Sequence, residues 1–515
     1  MTLASATPVS VTPALLDSLR PLRWFADKEA SCEEFQCLDW ALVSQDQAWH
    51  CLWILMQHLA SERRYSFVIR QHPQLHLYED ATYSSELVHC LLACPDKRLP
   101  TAKGAFIAFN AACTLTAPFQ VVPLEKNMTT NTLFKLSTPD SAWAVKFYRT
   151  LTHNNENEVS VLKALAKKSN DYAIAGTLEY QTCVNGQVSS TTLAIANKFM
   201  QGVPAYQLYS RSIKALFSRI AAGEVLDLSA LTQVEDLYLL SFSIGTNTAF
   251  FHQQVNAHYV QQGEQAFDVG SYVQCNRNRW LRVYDLLKQD RSLSSSDSDY
   301  LCHLLQEGYE RYLGDAFVQD NAGIPASISH GDLHLSHLFI DPAQVSRCLL
   351  IDPAPRSLDE HEREFVTQSC LQDLKNLHRG LDYFSYDEIV DDLALAMGVS
   401  QLDAAHFIWR YPAKARELYP AHFHLLCYWS DVVFDGLMQG YNSQASHSSS
   451  KQGEVMQLFY FCRLLKEMEY NYAYERNLFK YCDYFYLRKF IDFPALAKNP
   501  PAPLTARKQS IPIEV

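Results

Sequence analysis

The stretch Ser329–Leu338 reads SHGDLHLSHL, and Leu349–Pro353 reads LLIDP. Asp332 stands between Gly331 and Leu333, His337 follows five residues later, and Asp352 lies at 352 − 332 = 20. Leu338–Ile340 and Cys348–Ile351 are apolar and of strand length, with Pro342 in the turn between them. A hairpin here brings His337 and Asp352 to one side, close to Asp332. One carboxylate is then placed to take a proton from a hydroxyl. A second carboxylate and a neutral ligand suit the hard, octahedral cation that accompanies a triphosphate.

This is the layout of a kinase-type catalytic loop. It requires, upstream, a lysine on a strand and a glutamate on the helix that follows. Lys146 sits in Ala142–Tyr148 (AWAVKFY), which alternates and is β-prone. Glu158 lies in Asn154–Leu165 (NNENEVSVLKAL), where helix-start asparagines precede helical spacing. Lys146 is expected to hold the nucleotide α/β-phosphates, and Glu158 to orient it. Alone, Lys146 reads as an edge-strand surface lysine; the four parts in this chain order make the reading. A metallohydrolase is the rival, with His330, His334, His337 and the two aspartates binding zinc or a metal pair. It makes no demand on the upstream residues.

The rest of the chain fits a large globular protein. It has 515 residues, 48% hydrophobic, and a charge of 44 − 56 = −12. Such a balance argues against a general nucleic-acid surface. Met1–Leu15 has no signal-peptide pattern, and no apolar run reaches about 18 residues, so a cytoplasmic protein with no membrane partner is expected. The 14 cysteines lack CxxC pairing and read as reduced core residues, and Cys90 and Cys94 beside His89 have no second ligand pair. Ser292–Asp299 and Ser443–Ser450 read as exposed loops. Short β-rich runs fill the first half (Tyr65–Arg70, Ala105–Phe109, Phe119–Val122, Thr132–Leu136, Trp143–Tyr148), and helical spacing fills the second (Leu239–Gln253, Tyr300–Phe317, His422–Tyr441, Glu454–Asn477). The fold class is therefore α+β with segregated lobes. Asn197–Met200, after the strand Thr192–Ala196, is placed by chain order as the adenine hinge, with Lys198 and Met200 in it. His252 reads as a satisfied core histidine, and His330 as a brace for the loop. Arg23 and Trp24 read as a capping arginine beside a buried tryptophan, or as the anchor of an N-terminal cap on the nucleotide lobe.

Several motifs resemble the maltokinases, a branch of the aminoglycoside-phosphotransferase-like group with the protein-kinase-like fold. Arg23–Lys28 (RWFADK) resembles the RWFxxK signature of that family's cap. Thr130–Thr132 (TNT) resembles its SNTS phosphate-covering turn, which needs no glycine-rich loop and suits a chain with only 17 glycines. Gly245–His252 (GTNTAFFH) is similar to GxxTAxLH, and Leu371–Tyr383 (LQDLKNLHRGLDY) to LRDVAxMLRSFDY. Glu467, Tyr470, Tyr474 and Glu475 resemble a helix with a YxxxYE pattern whose residues face the sugar. The chain departs from the family at His337, usually Gln or Asn, at Ile351–Pro355 (IDPAP), usually IDFEGEP, and at Glu467, where the family has Lys.

The resemblance implies a bilobal protein-kinase-like fold with a small β-rich N-lobe, a large helical C-lobe and an N-terminal cap. The expected division is 1–112 cap, 113–202 nucleotide-binding lobe, 203–497 helical lobe with the catalytic loop and sugar site, and 498–515 flexible tail. It implies an ATP-dependent sugar kinase acting on a small-molecule sugar, with maltose going to maltose 1-phosphate. Glucose and glucosamine are the alternative acceptors, and a pseudokinase or scaffold the non-enzymatic one. The implied roles are Asp332 as base, and Lys146, Glu158, Thr130, Asn131, Thr132, Lys198 and Met200 at ATP. His337 and Asp352 take Mg2+, or alternatively Mn2+, and Glu467, Tyr470, Tyr474 and Glu475 take the sugar.

Overall fold

A computed structural model describes residues 10–496 except 47, 73, 76, 83, 85, 114–117, 126–129, 223–234, 260–265, 355–368 and 445–449. The expected tail 498–515 lies outside the described residues. The chain divides between Met200 and Gln201 into two compact units.

The first unit begins with α1 (Pro13–Leu19), β1 (Phe35–Gln45), β2 (His50–His58), β3 (Arg64–His72), β4 (Leu77–Asp80) and α2 (Glu86–Ala93). It continues through β5 (Arg98–Pro100), β6 (Phe106–Ala111), β7 (Gln120–Glu125), β8 (Thr132–Ser137), β9 (Ala142–Phe147), β10 (Thr150–Leu151), α3 (His153–Ala166), β11 (Ile174–Val184) and β12 (Gln187–Lys198). One sheet runs β1-β2-β3-β10 with β4 on β3; the other runs β5-β6-β11-β12-β9-β8-β7. Strand alternation decides what faces inward. On β9, Trp143, Val145 and Phe147 are buried while Lys146 falls on the opposite face.

The two sheets share a core in which Trp53 and Val68 join Phe134, Val145 and Leu178. The expected 112/113 division falls just after β6, which pairs with β11. The segment read as cap thus contributes two strands to the nucleotide-lobe sheet, and residues on both sides of the division lie in one unit.

The second unit is helical: α4 (Ala205–Ala221), α5 (Glu235–Tyr259), α6 (Val269–Gln289), α7 (Ser295–Tyr312) and α8 (Asp315–Asp320) come first. After β14 (Leu338–Asp341) and β15 (Gln344–Leu350) come α9 (Leu371–Met397), α10 (Gln401–Arg410), α11 (Pro412–Leu418), α12 (Pro420–Gln444), α13 (Ser450–Ala473) and α14 (Asn477–Leu496). β13 (Val203–Pro204) pairs with β14, which forms the expected hairpin with β15.

Helices α5 and α12 meet backbone to backbone. A Cβ on Gly245 would collide with the Leu437 carbonyl oxygen, and one on Gly440 with that of Phe242. This close crossing is what the glycine of Gly245–His252 serves. The stretch Ser292–Asp299, expected as a loop, is in part the start of α7, because Ser294 Oγ caps the helix by accepting from the Asp297 N–H at 3.2 Å. No helix among the described residues is long and apolar enough to cross a membrane.

Candidate active site

In the first unit the lysine–glutamate pair is formed. Lys146 Nζ donates to both Glu158 oxygens at 2.9 Å. Both side chains are largely buried, so the pair is held with little solvent screening. The turn before β8 is built differently from its sequence reading. Thr130 is exposed and Asn131 Oδ1 accepts from the Arg149 N–H at 3.4 Å. Thr132 is buried and its hydroxyl accepts from Arg149 Nε. The Arg149 guanidinium is itself buried, pairs with Asp80 at 2.6 Å and lies 4.7 Å over the Trp24 ring. Trp24 thus anchors the β1–β4 sheet to the sheet that carries Lys146. Lys198 closes β12, its Nζ donating to the Asn170 carbonyl at 3.3 Å, and Met200 follows half-buried.

In the second unit, Gly331 adopts φ +86, a conformation that suits glycine. This turns two successive N–H groups toward one carboxylate. His330 N–H donates to Asp373 Oδ2 at 2.5 Å, and Gly331 N–H to Asp373 Oδ1 at 3.1 Å. His252 approaches the same carboxylate through Nε2 at 3.0 Å and Tyr441 through Nδ1 at 3.1 Å. Burial opposes a charge on His252, but Cys370 and Asp373 outweigh it and raise its pKa to about 10.

The folded pKa of His252 exceeds the unfolded value of about 6.5. Its stabilisation is therefore complete below about pH 6.5 and lost as pH rises through 10. His252→Ala is expected to cost about 3–5 kcal/mol near pH 6. The gap in urea midpoint from wild type should narrow steadily toward pH 10.

Below this brace, Asp332 leaves its side chain 41% exposed. Its own carbonyl accepts from His337 Nδ1–H at 2.8 Å. That bond fixes the tautomer, leaving the lone pair of His337 Nε2 3.8 Å from Asp352 Oδ2. Two donors so placed fit a divalent cation between them. Asp352 has φ +61, which an aspartate tolerates better than most residues.

Asp332, His334 and His337 each offer an atom within 4.8 Å of the others. His334 Nδ1, however, accepts from the Ser336 N–H at 3.3 Å, so in the neutral ring Nε2 carries the proton. Burial, then His337, pushes the pKa of His334 down to about 4. His330 is buried, likewise pushed down to about 4 by burial first, with Nε2 donating to the Ile351 carbonyl at 2.9 Å. It braces the loop and stands outside the ligand cluster.

Among the sugar-facing candidates the structure separates two kinds. Tyr470 and Tyr474 are exposed, with ring centroids 4.5 Å apart, and Glu475 is exposed beside them. Glu467 is instead committed: its carboxylate accepts from Arg379 Nε at 2.9 Å and from Arg463 Nε at 2.7 Å.

No family model matches the sequence, and no curated protein does. Solved structures do. A glucosamine kinase in complex with glucosamine, ADP and inorganic phosphate superposes with a TM-score of 0.56 at 13% identity, covering 92% of this chain and 98% of that one. Crystal form A of glucosamine kinase gives 0.55 at 13% identity over 92% and 97%, and form B gives 0.54 at 14% over 88% and 93%.

The chain has a glucosamine-kinase-like fold. It is α+β, β-rich first and helical after, the class expected from the patterning of the two halves and from Lys146, Glu158, Asp332 and Asp352 in that chain order.

Within this fold, sequence reading misses the groups that act by support. Asp373 is one; nothing in its local sequence announces that two loop N–H groups will converge on it. Arg379 is another: fully buried, it pairs with Glu467 at 2.9 Å, Asp483 at 3.0 Å and Asp382 at 3.1 Å. An arginine within the helical stretch LQDLKNLHRGLDY is the one local sign of it, and its partners lie up to 104 residues away.

Proposed function

We propose that this protein is an ATP-dependent sugar kinase that transfers the γ-phosphoryl group to a sugar hydroxyl. The observation that supports it most is the braced loop. Asp373 fixes the backbone at His330 and Gly331, so that the Asp332 carboxylate stands exposed at a defined position. Together with Lys146 held by Glu158, this supplies the parts that phosphoryl transfer needs. Lys146 would hold the nucleotide phosphates, with the turn at Thr130 and Asn131 beside them and Lys198 and Met200 near the base. Asp332 would orient the acceptor hydroxyl and take its proton as it attacks in line. His337 and Asp352 would hold the divalent cation, which neutralises charge on the phosphates. Most of the rate enhancement would come from positioning.

The proposed acceptor is glucosamine. The likeness to glucosamine kinase covers nearly all of both chains, and the exposed Tyr470–Tyr474 pair beside Glu475 offers an aromatic face and a carboxylate. Maltose is the second reading, favoured by the RWFADK and YxxxYE resemblances. Glu467 would shape this surface through Arg379 rather than touch sugar. An ATP-consumption screen across glucosamine, maltose, glucose, trehalose and aminoglycosides tests the reading. Sugar-stimulated ADP release is expected, highest with glucosamine. No stimulation by any of them would overturn it.

An imidazole ligand favours softer cations than an amide oxygen does. His337→Asn is therefore expected to shift the metal preference. The ratio of the rate with Mn2+ to the rate with Mg2+ should fall several-fold in steady-state assays.

A further inference from the structure

Helix α9 has a second chemical face. Asp373 meets the catalytic loop, whereas Lys375 and His378, two and five residues on, meet α12 and α13 instead. Both positions are apolar in the LRDVAxMLRSFDY pattern that this helix resembles. Lys375 is buried, with its Nζ 3.2 Å from His378 Nδ1. His378 Nε2 lies 3.1 Å from Asp431 Oδ1, and Lys489 Nζ holds the other oxygen of Asp431 at 2.8 Å. The His378 proton therefore sits on Nε2, donated to Asp431, and the Nδ1 lone pair faces the amine. The His378 ring is stacked on Phe434 at 4.1 Å, which fixes its plane. Carboxylate, imidazole and amine stand in line at the wall of a cleft of about 290 Å³ lined by Lys375, His378, Asp431, Phe434, Asp435 and Met456.

We propose that Lys375 is the nucleophile of a second site, separate from the phosphoryl-transfer site, where its amine forms an imine with a small uncharged hydroxyaldehyde. The Nζ lone pair attacks the carbonyl carbon, and the C=O π electrons move onto the oxygen. His378 Nδ1 takes one N–H proton and gives it to that oxygen, making the carbinolamine hydroxyl; it then passes the second N–H proton to the hydroxyl, which leaves as water while the C=N bond forms. Asp431 stabilises the transient imidazolium, and Lys489 keeps Asp431 in place. No oxidant or reductant is needed.

The surroundings of the amine raise its neutral, nucleophilic share above that of an ordinary lysine. No described carboxylate lies within ion-pair distance of Lys375, whose Nζ faces the rings of Phe434 at 4.6 Å and Tyr460 at 5.6 Å. Burial lowers its pKa to about 8, against the opposing pull of Asp382, Asp431 and Asp435. Asp431 and Asp435 also select the ligand: they disfavour an anionic aldehyde and can accept from hydroxyls. Phe434 and Met456 offer the apolar wall for its carbon skeleton.

Competitive labelling of the full chain with limiting glyceraldehyde and cyanoborohydride at pH 7.5, read by peptide mass spectrometry, tests this. Lys375 is expected to label at least ten-fold faster than Lys214, whose side chain is 67% exposed. His378→Gln is expected to slow labelling of Lys375 at least ten-fold while Lys214 is unaffected. Labelling of Lys375 no faster than Lys214 in the wild-type protein overturns the proposal, and so does an unchanged rate in folded His378→Gln. The wild-type comparison decides even where the variant fails to fold, and neither readout depends on phosphoryl transfer.

Discussion

Asp332→Asn is expected to lower kcat for sugar phosphorylation by about 10²–10⁴-fold, the range that a positioned general base supplies. The substitution keeps the size of the side chain and removes its capacity to accept a proton. It leaves the loop intact, because the loop is held through its backbone. The Asp332 carbonyl still accepts from His337, and the His330 and Gly331 N–H groups still meet Asp373. Melting temperature and MgATP binding should therefore match wild type while turnover is lost. Calorimetry and a coupled ADP assay on the same preparation separate the two. A variant with wild-type turnover would remove Asp332 from the role of base.

The largest stability effect is expected at Arg379. Its guanidinium is fully buried among Glu467, Asp382 and Asp483, with Tyr383, Tyr460 and Tyr486 rings around it at 5.0–5.4 Å. A charge in that position is compensated only while its partners remain. Arg379→Met removes the guanidinium shared by these three carboxylates, and Arg463, which pairs with Glu467, leaves Asp382 and Asp483 uncompensated by it. The expected cost is about 3–5 kcal/mol. At about 2–4 °C per kcal/mol for a unit of this size, the melting temperature should fall by roughly 10 °C. The exposed pair Lys288–Asp299 is the control, where Lys288→Met should leave the melting temperature close to that of wild type. Arg379→Lys restores the charge without the planar fork that reaches three partners, so it should recover only part of the loss. A melting temperature within a degree or two of wild type for Arg379→Met would show that the network is not what holds α9, α13 and α14 together.

The sequence makes the catalytic loop legible because its parts are tied by short spacings. His337 follows Asp332 on one turn, and Asp352 follows across one hairpin, so strand geometry alone brings them together. Lys146 and Glu158 are legible for a similar reason: two-residue alternation assigns the lysine to one strand face, and the helix that follows is short and close. What sequence does not show is which partner wins when several are available. Thr132 reads as a phosphate contact, yet burial in β8 turns its hydroxyl to Arg149. Glu467 reads as a sugar ligand, yet two arginines take its carboxylate. Both outcomes depend on residues brought near by folding, and neither has a local signature. The sharing of one core by the cap segment and the nucleotide-lobe sheet is of the same kind, since β6 meets β11 only after a long loop closes.

Phosphoryl transfer to sugar can be read from the products themselves. Phosphorus NMR of the wild-type protein with ATP, a divalent cation and glucosamine should show ADP and one sugar-phosphate resonance growing in equal amounts, with neither formed by Asp332→Asn. ATP that stays intact, or that yields ADP and inorganic phosphate at the same rate without sugar, would rule out a sugar kinase.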